Sequence, residues 1–220
     1  EPFMLVAGRP LGEIYAYKTQ GVYQNEQEVI DHGLYANDPT MVKFMVGEYK
    51  YLNASNVDNQ PDGDFVLNSE DRVVVGNSNP DFIFGFSNSF SYKGFDMSLL
   101  LQGMVGNDIV NTTSWSMESN IGGSSSNITW EAYNNLWRGE GTSNEYPKAI
   151  ESKKRLVIFS DKYIENGSYL KLKNITLGYT FKFRKSFIQG LRLAGNVTNV
   201  FTITSYSGFD QDVTAPNSDP

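Results

Sequence analysis

Ser168 to Thr180 reads SYLKLKNITLGYT, and that stretch with its continuation to Phe183 decides the fold. Side chains alternate between the two faces of a strand. On that spacing Ile175, Leu177, Tyr179, Phe181 and Phe183 share one face, while Asn174, Thr176, Gly178, Thr180 and Lys182 share the other. One face is apolar and the other wet, so Tyr169 to Phe183 reads as a single amphipathic strand.

The same alternation recurs on either side. FIFGFSNSFSY sets Phe82, Phe84, Phe86, Phe90 and Tyr92 against Ile83, Gly85, Ser87, Ser89 and Ser91, and Lys93-Gly94 then makes a tight turn. Phe95 to Gly106 returns with Phe95, Met97, Leu99 and Leu101 opposed by Asp96, Ser98 and Gln102, Leu100 being the exception. Leu191 to Phe201 repeats the pattern, with Leu191, Leu193 and Val197 opposed by Arg192, Asn196 and Thr198. A further strand is expected upstream, at Gly12 to Val22, where the two faces are less distinct.

Alternation alone also fits a soluble sandwich, whose apolar faces meet in a core. The connections break the tie. Those at Lys93-Gly94 and Arg184 to Gly190 are short, whereas Tyr23 to Asp81, Asn107 to Lys162 and the stretch from Thr202 onward are long. Placing every short turn at one end gives a consistent up-and-down path, and short turns opposite long loops are the asymmetry of outer-membrane barrels. Strands of about 9–11 residues suit a tilted crossing of the hydrocarbon layer. Phe90, Tyr92, Phe95, Phe181, Phe183 and Phe187 then cluster at the turn end as an interfacial girdle, with an ordinary edge cluster as the plainer reading. Five strands cannot close a conducting barrel. The expectation is therefore an all-β chain forming part of a transmembrane antiparallel barrel, without plug, upstream strands or final strand.

Composition agrees. Aromatic content is 14%, with 13 Tyr and 14 Phe, which favours strands over helices. A net charge of -7 argues against a nucleic-acid partner, and the absence of cysteine excludes a disulfide framework and thiolate chemistry. No run approaches the ~20 apolar residues of a membrane helix.

Several stretches carry a family resemblance. IENGSYLKLKNITLGYT at Ile164 to Thr180 resembles the penultimate-hairpin signature of SusC/RagA-type TonB-linked outer-membrane proteins, and NVFTITSYSGFD at Asn199 to Asp210 resembles the motif that follows it. Arg72 to Tyr92, with Gly76, Pro80, Gly85 and Phe86 ahead of Tyr92-Lys93-Gly94, is similar to the family's stretch before a hairpin. Trp137 with Tyr146-Pro147 fits a weaker element. The chain departs from the family pattern at Val46-Gly47-Glu48, where Pro-Gly-Asp is usual, and at Gln211-Asp212. The resemblance implies a barrel of ~22 strands that imports nutrients, mostly oligosaccharides and in some members peptides. It also implies a SusD-like surface lipoprotein, energisation by TonB, an outer-membrane location, and no bond chemistry by the barrel.

Candidate sites follow from residue chemistry. In DNQPDGDFVLNSED, Asp58, Gln60, Asp62 and Gly63 fall at the first, third, fifth and sixth places of a calcium loop, whose hard cation takes oxygen ligands at alternate positions. Ser69 occupies the closing place and Glu70 and Asp71 come just after, so the ligand set Asp58, Asp62, Asp64 and Asp71 stands beside a plain acidic turn. Trp115, Trp130 and Trp137, with Tyr133 and Tyr146, lie in the long 107–162 connection and could stack on sugar rings or pack the loop. Asp96, Gln102, Asn174, Thr176, Arg192 and Asn196 line the wet face. No catalytic residue is assigned: His32 is the sole histidine and reads as a loop residue, and pairs such as Glu26 and Glu28, or Asp161 and Glu165, are common in loops. The competing reading is a secreted β-sandwich that binds carbohydrate through the loop aromatics.

Overall fold

The computed structural model describes residues 3, 6–54, 66–119, 121, 127–150, 158–184 and 187–209. In chain order the elements are β1 (Glu13–Ala16), β2 (Thr19–Val22), α1 (Glu26–His32), α2 (Pro39–Met45), β3 (Tyr49–Tyr51), β4 (Val73–Asn77), β5 (Phe82–Tyr92) and β6 (Phe95–Val105). They continue with β7 (Asp108–Val110), α3 (Thr112–Glu118), α4 (Trp130–Asn134), β8 (Ile164–Asn166), β9 (Tyr169–Lys182) and β10 (Gly190–Thr204). The chain divides into two compact units, one of 1–78 with 110–165 and one of 79–109 with 166–220.

The second unit is a four-stranded antiparallel sheet in the order β10-β9-β6-β5. Its strands run 11, 11, 14 and 15 residues, enough to cross a hydrocarbon layer when tilted. Lys93 (φ 46) and Gly94 (φ 92) both adopt the left-handed conformation that a two-residue hairpin requires. Glycine is needed at the second place, since a Cβ there would lie 2.9 Å from the Thr180 carbonyl oxygen. Thr180 N–H in turn donates to the Gly94 carbonyl at 2.7 Å, bringing the short β9–β10 connection to the same end as the β5–β6 turn.

Register assigns the faces. Phe82, Phe84, Phe86, Phe90 and Tyr92 pair with Val105, Gly103, Leu101, Met97 and Phe95. Phe95, Met97 and Leu99 pair in turn with Tyr179, Leu177 and Ile175, which stand opposite Leu193, Gly195 and Val197. A register shift at Leu100/Leu101 leaves Lys173 as an extra residue in β9, so Leu172 and Leu170 rejoin the apolar face despite their even spacing from Asn174. β10 answers with its own irregularity between Thr198 and Phe201, where Asn199 takes φ 51. These bulges explain why LKLKNITL does not alternate cleanly from end to end.

Within its own unit no second layer covers this sheet among the described residues. Among the described residues every hydrophobic core cluster belongs to the other unit. A dry inter-sheet core, which the β-sandwich reading requires, is absent among the described residues.

The other unit shows where the sequence reading needs correction. Gly12 to Val22 is not a wall strand but two short ones, β1 pairing with β4 and β2 with β3. All four residues of β1 are buried, which is why its faces looked indistinct. Buried Glu13 is held by Arg9 at 2.7 Å and by the Tyr15 hydroxyl at 2.7 Å. The long connections are not plain loops either. Asn25 accepts from Glu28 N–H and Asp38 accepts from Thr40 and Met41 N–H, starting α1 and α2, with Pro39 in the first turn of the latter. These helices sink Val29, Val42 and Met45 around Tyr23, each burial worth about 1.5–3 kcal/mol. A separate cluster of Ile121, Ala132, Leu136 and Tyr146 seats α4.

Candidate functional site

The wet face of the sheet carries a polar network that the strand register assembles. Asp96, Gly178 and Ala194 lie in one row across β6, β9 and β10. Arg192, two pairs nearer the turns, reaches back across β9 and grips Asp96 through both Nε and Nη2. The pair crosses over Gly178, where an added Cβ would lie 2.5 Å from Asp96 Oδ2. The glycine of LGYT thus keeps open the path of an inter-strand ion pair. Two rows away the single hydroxyl proton of Thr176 is shared between Asn174 Oδ1 at 3.1 Å and Asn196 Oδ1 at 3.0 Å, and Asn174 Nδ2 donates to Asn196 Oδ1 at 2.8 Å. The bulge residue Lys173 donates to Gln102 Oε1 at 3.1 Å. Asp96, Gln102, Asn174, Thr176, Arg192 and Asn196 therefore share this face as the alternation predicts; Lys173 joins them only because of the bulge.

The opposite face is apolar and exposed. Phe86, Phe95, Leu177, Leu193 and Ile203 are each more than half exposed. Aromatic rings gather at its turn end, the Phe95 and Tyr179 ring centroids 4.5 Å apart and those of Tyr179 and Phe181 4.6 Å apart, in the place expected of an interfacial girdle. Exposed apolar side chains gathered on one face in this way mark a membrane or protein contact.

The tryptophans occupy different environments. Trp115, in α3, packs edge-on against Phe159. Trp137 donates its indole N–H to Gln24 Oε1 at 3.1 Å and packs on the cluster of Val22, Tyr49 and Tyr51. Both hold the fold of their unit. Trp130 differs: it opens α4, is 76% exposed and rests on the Tyr133 ring. Tyr146 is buried.

Asp58, Asp62 and Asp64 lie outside the described residues. Asp71 is fully buried, and its carboxylate accepts Ala54 N–H at 2.8 Å and Asn68 N–H at 2.5 Å. It closes a capping box with Asn68 at the start of the 69–71 turn. Among the described residues no group of three or more acidic or histidine side chains could hold a metal ion.

His32 ends α1 instead of sitting in a loop. Its Nδ1 lies 2.6 Å from the Tyr23 hydroxyl. Burial, followed by the nearby Lys50 ammonium, holds the imidazole below its ordinary range, while Glu28 opposes them. The tautomer of the ring sets which of the two donates in this hydrogen bond. Because the unfolded imidazole binds a proton more readily than the folded one, stability is full above about pH 6.5 and falls as pH drops through that value toward the folded pKa. The expected result is an imidazole titration, followed by proton NMR of His32, whose midpoint lies below that of an unfolded peptide. Tyr23→Phe should move it.

No protein-family model matches the chain. It is 30% identical over 217 residues to "TonB-dependent receptor P3" of Formosa agariphila, covering 97% of this chain and 20% of that protein. It is 30% identical over 155 residues to "TonB-dependent receptor SusC" of Bacteroides thetaiotaomicron, covering 69% of this chain and 15% of that one. Among solved structures, the RagAB peptide transporter matches with a TM-score of 0.65 at 22% identity, over 95% of this chain and 22% of that one. The RagAB peptide importer in its open-open state gives the same TM-score at 20% identity, over 95% of this chain and 21% of that one. The chain thus spans about a fifth of the length of the relatives it matches, and the structural likeness is one of fold.

Proposed function

This chain belongs to the SusC/RagA type of TonB-dependent receptor, and from that premise we propose that it builds the C-terminal barrel wall and outer loops of an outer-membrane nutrient importer. The observation that carries this reading is the two-sided sheet: an uncovered apolar face and a hydrogen-bonded wet face on strands of membrane-crossing length. The apolar face meets lipid, and the wet face, with the Asp96–Arg192 pair, meets the interior. The short turns face the periplasm and the long connections face outward. Oligosaccharides are the substrate class we favour, with peptides second; a SusD-like surface lipoprotein and the TonB complex are the partners. The wall performs no bond chemistry, and import rests on loops, plug and lid.

The test uses the full-length receptor in its own cells. Deleting it should abolish uptake of one oligosaccharide class, and deleting TonB should do the same. Affinity purification should bring down a surface lipoprotein. Loss of peptide uptake alone would shift the substrate class to peptides, and unchanged uptake of both would overturn the reading.

Calcium belongs to the same proposal. Asp58, Asp62 and Asp64 supply oxygen ligands, and Asp71, although committed to two backbone N–H groups, keeps a further lone pair on each oxygen. Calorimetric titration of the purified receptor with calcium should show binding that Asp58→Asn with Asp62→Asn removes.

A further inference from the structure

The short-turn end of the sheet carries charge of the opposite sign to the chain. The sequence as a whole has a net charge of -7. Among the described residues of 92–96 and 180–192, however, four are basic, Lys93, Lys182, Arg184 and Arg192, and one is acidic, Asp96. Asp96 and Arg192 neutralise each other on the wet face. Lys93, Lys182 and Arg184 are exposed, and none of them has an acidic partner among the described residues.

Lys93 has two features that set it apart. It takes φ 46, a left-handed conformation that Asn or Gly adopts more readily than lysine, so the turn itself does not ask for this side chain. Its Nζ lies 5.2 Å from the centroid of the Tyr92 ring, which is 57% exposed on the apolar face. Attraction to the ring face thereby holds the ammonium on the lipid side of the wall. Tyr92, Phe95 and Tyr179 form one row across β5, β6 and β9, so the cation stands level with the aromatic girdle. Thr180 N–H donates to the Gly94 carbonyl, which brings the next connection, with Arg184 and fully exposed Phe187, beside it. Rings mixed with long cations suit the membrane interface, where the rings sit at headgroup level and lysine or arginine meets phosphate.

We infer that Lys93, held on Tyr92 and joined by Arg184 and Phe187, is a docking site for the headgroup of an anionic phospholipid in the periplasmic leaflet. The inference rests on the importer reading above, which sets the short turns in the periplasm. Charge complementarity selects this occupant: phosphatidylglycerol presents a phosphate diester with no cation of its own, whereas phosphatidylcholine carries a compensating ammonium. An acidic protein would reach the tips of the turns, but not an ammonium lying over a ring that faces lipid. Lys182 falls on the wet face, two pairs from Thr180 and Arg192, and is the control of equal charge on the other side of the wall.

The experiment uses the full-length receptor in detergent, titrated with phosphatidylglycerol and with phosphatidylcholine, with bound lipid counted by native mass spectrometry. Wild-type receptor should prefer phosphatidylglycerol. Lys93→Gln should lower that affinity about fivefold, and Lys93→Gln with Arg184→Gln further, while Lys182→Gln leaves it unchanged. Lys93→Asn separates binding from folding: it suits the left-handed turn better, so it should raise the melting temperature while losing the same affinity. No preference for phosphatidylglycerol in the wild type, or an unchanged preference in Lys93→Asn, would overturn the site and leave the importer reading standing. An equal loss in Lys182→Gln would also overturn it, by showing a diffuse field on both faces, as would an effect confined to co-purification of an acidic protein. Failure of the wild-type receptor to insert into vesicles of either lipid would overturn the site and the importer reading together.

Discussion

Val197→Arg should cripple insertion of the receptor into a bilayer, and Thr198→Arg, one residue along the same strand, should leave insertion nearly intact. Val197 lies mid-strand on the apolar face, opposite Ile175, and is 54% exposed. Thr198 pairs with Asn174 on the wet face. A cationic side chain near the bilayer midplane of a barrel costs about 2–4 kcal/mol, whereas one facing the interior meets water or polar partners. The measurement is refolding of the full-length receptor into lipid vesicles across a urea series, read by heat-modifiable gel mobility. Equal effects of the two substitutions would mean that the sheet has no lipid side. The reverse order would mean that the wet and apolar faces have been exchanged.

The second large effect is expected at Asp71. Its carboxylate is fully buried and satisfies the N–H groups of Ala54 and Asn68, and Ala54 is itself fully buried. Asp71→Ala strands one donor in the interior and one at its edge, at an expected cost of about 2–4 kcal/mol. Asp71→Asn offers an oxygen to only one of the two and should fall between. Thermal melting with calcium chelated isolates this structural part. A melting temperature unchanged by Asp71→Ala in chelator would remove the capping role, and a loss seen only with calcium present would assign Asp71 to the metal instead.

Much of the wall was legible because a half-buried strand writes its environment into period-two alternation. Phe82 to Tyr92 and Leu191 to Phe201 alternate almost without exception, and the glycine of Lys93-Gly94 marks the turn as the residue that adopts positive φ freely. The bulge at Lys173 was not legible, because one inserted residue flips the parity of everything beyond it and the sequence alone does not say which residue is extra. The small cores around Tyr23 and Tyr146 were missed for another reason. Their helices are 7 and 5 residues long, too short for a hydrophobic period to emerge, although the capping residues Asn25, Asp38 and Thr129 were visible signals. Trp115, Trp130 and Trp137 looked equivalent as aromatics in one long connection. Only their neighbours distinguish them.

By itself the sequence determined the alternating strands, the tight hairpin turn, the end at which the short connections gather and the kinship of the chain, since each depends on residue order or on local backbone preference. Tertiary structure decided the rest. It split Gly12 to Val22 into two short strands outside the wall, burying both faces of Glu13–Ala16, and it laid the Asp96–Arg192 pair across Gly178. It also buried the Asp71 carboxylate under backbone donors and left Trp130 as the exposed indole. Each of those depends on which distant residues fill the space around a side chain, and that is a property of packing in three dimensions, not of order along the chain.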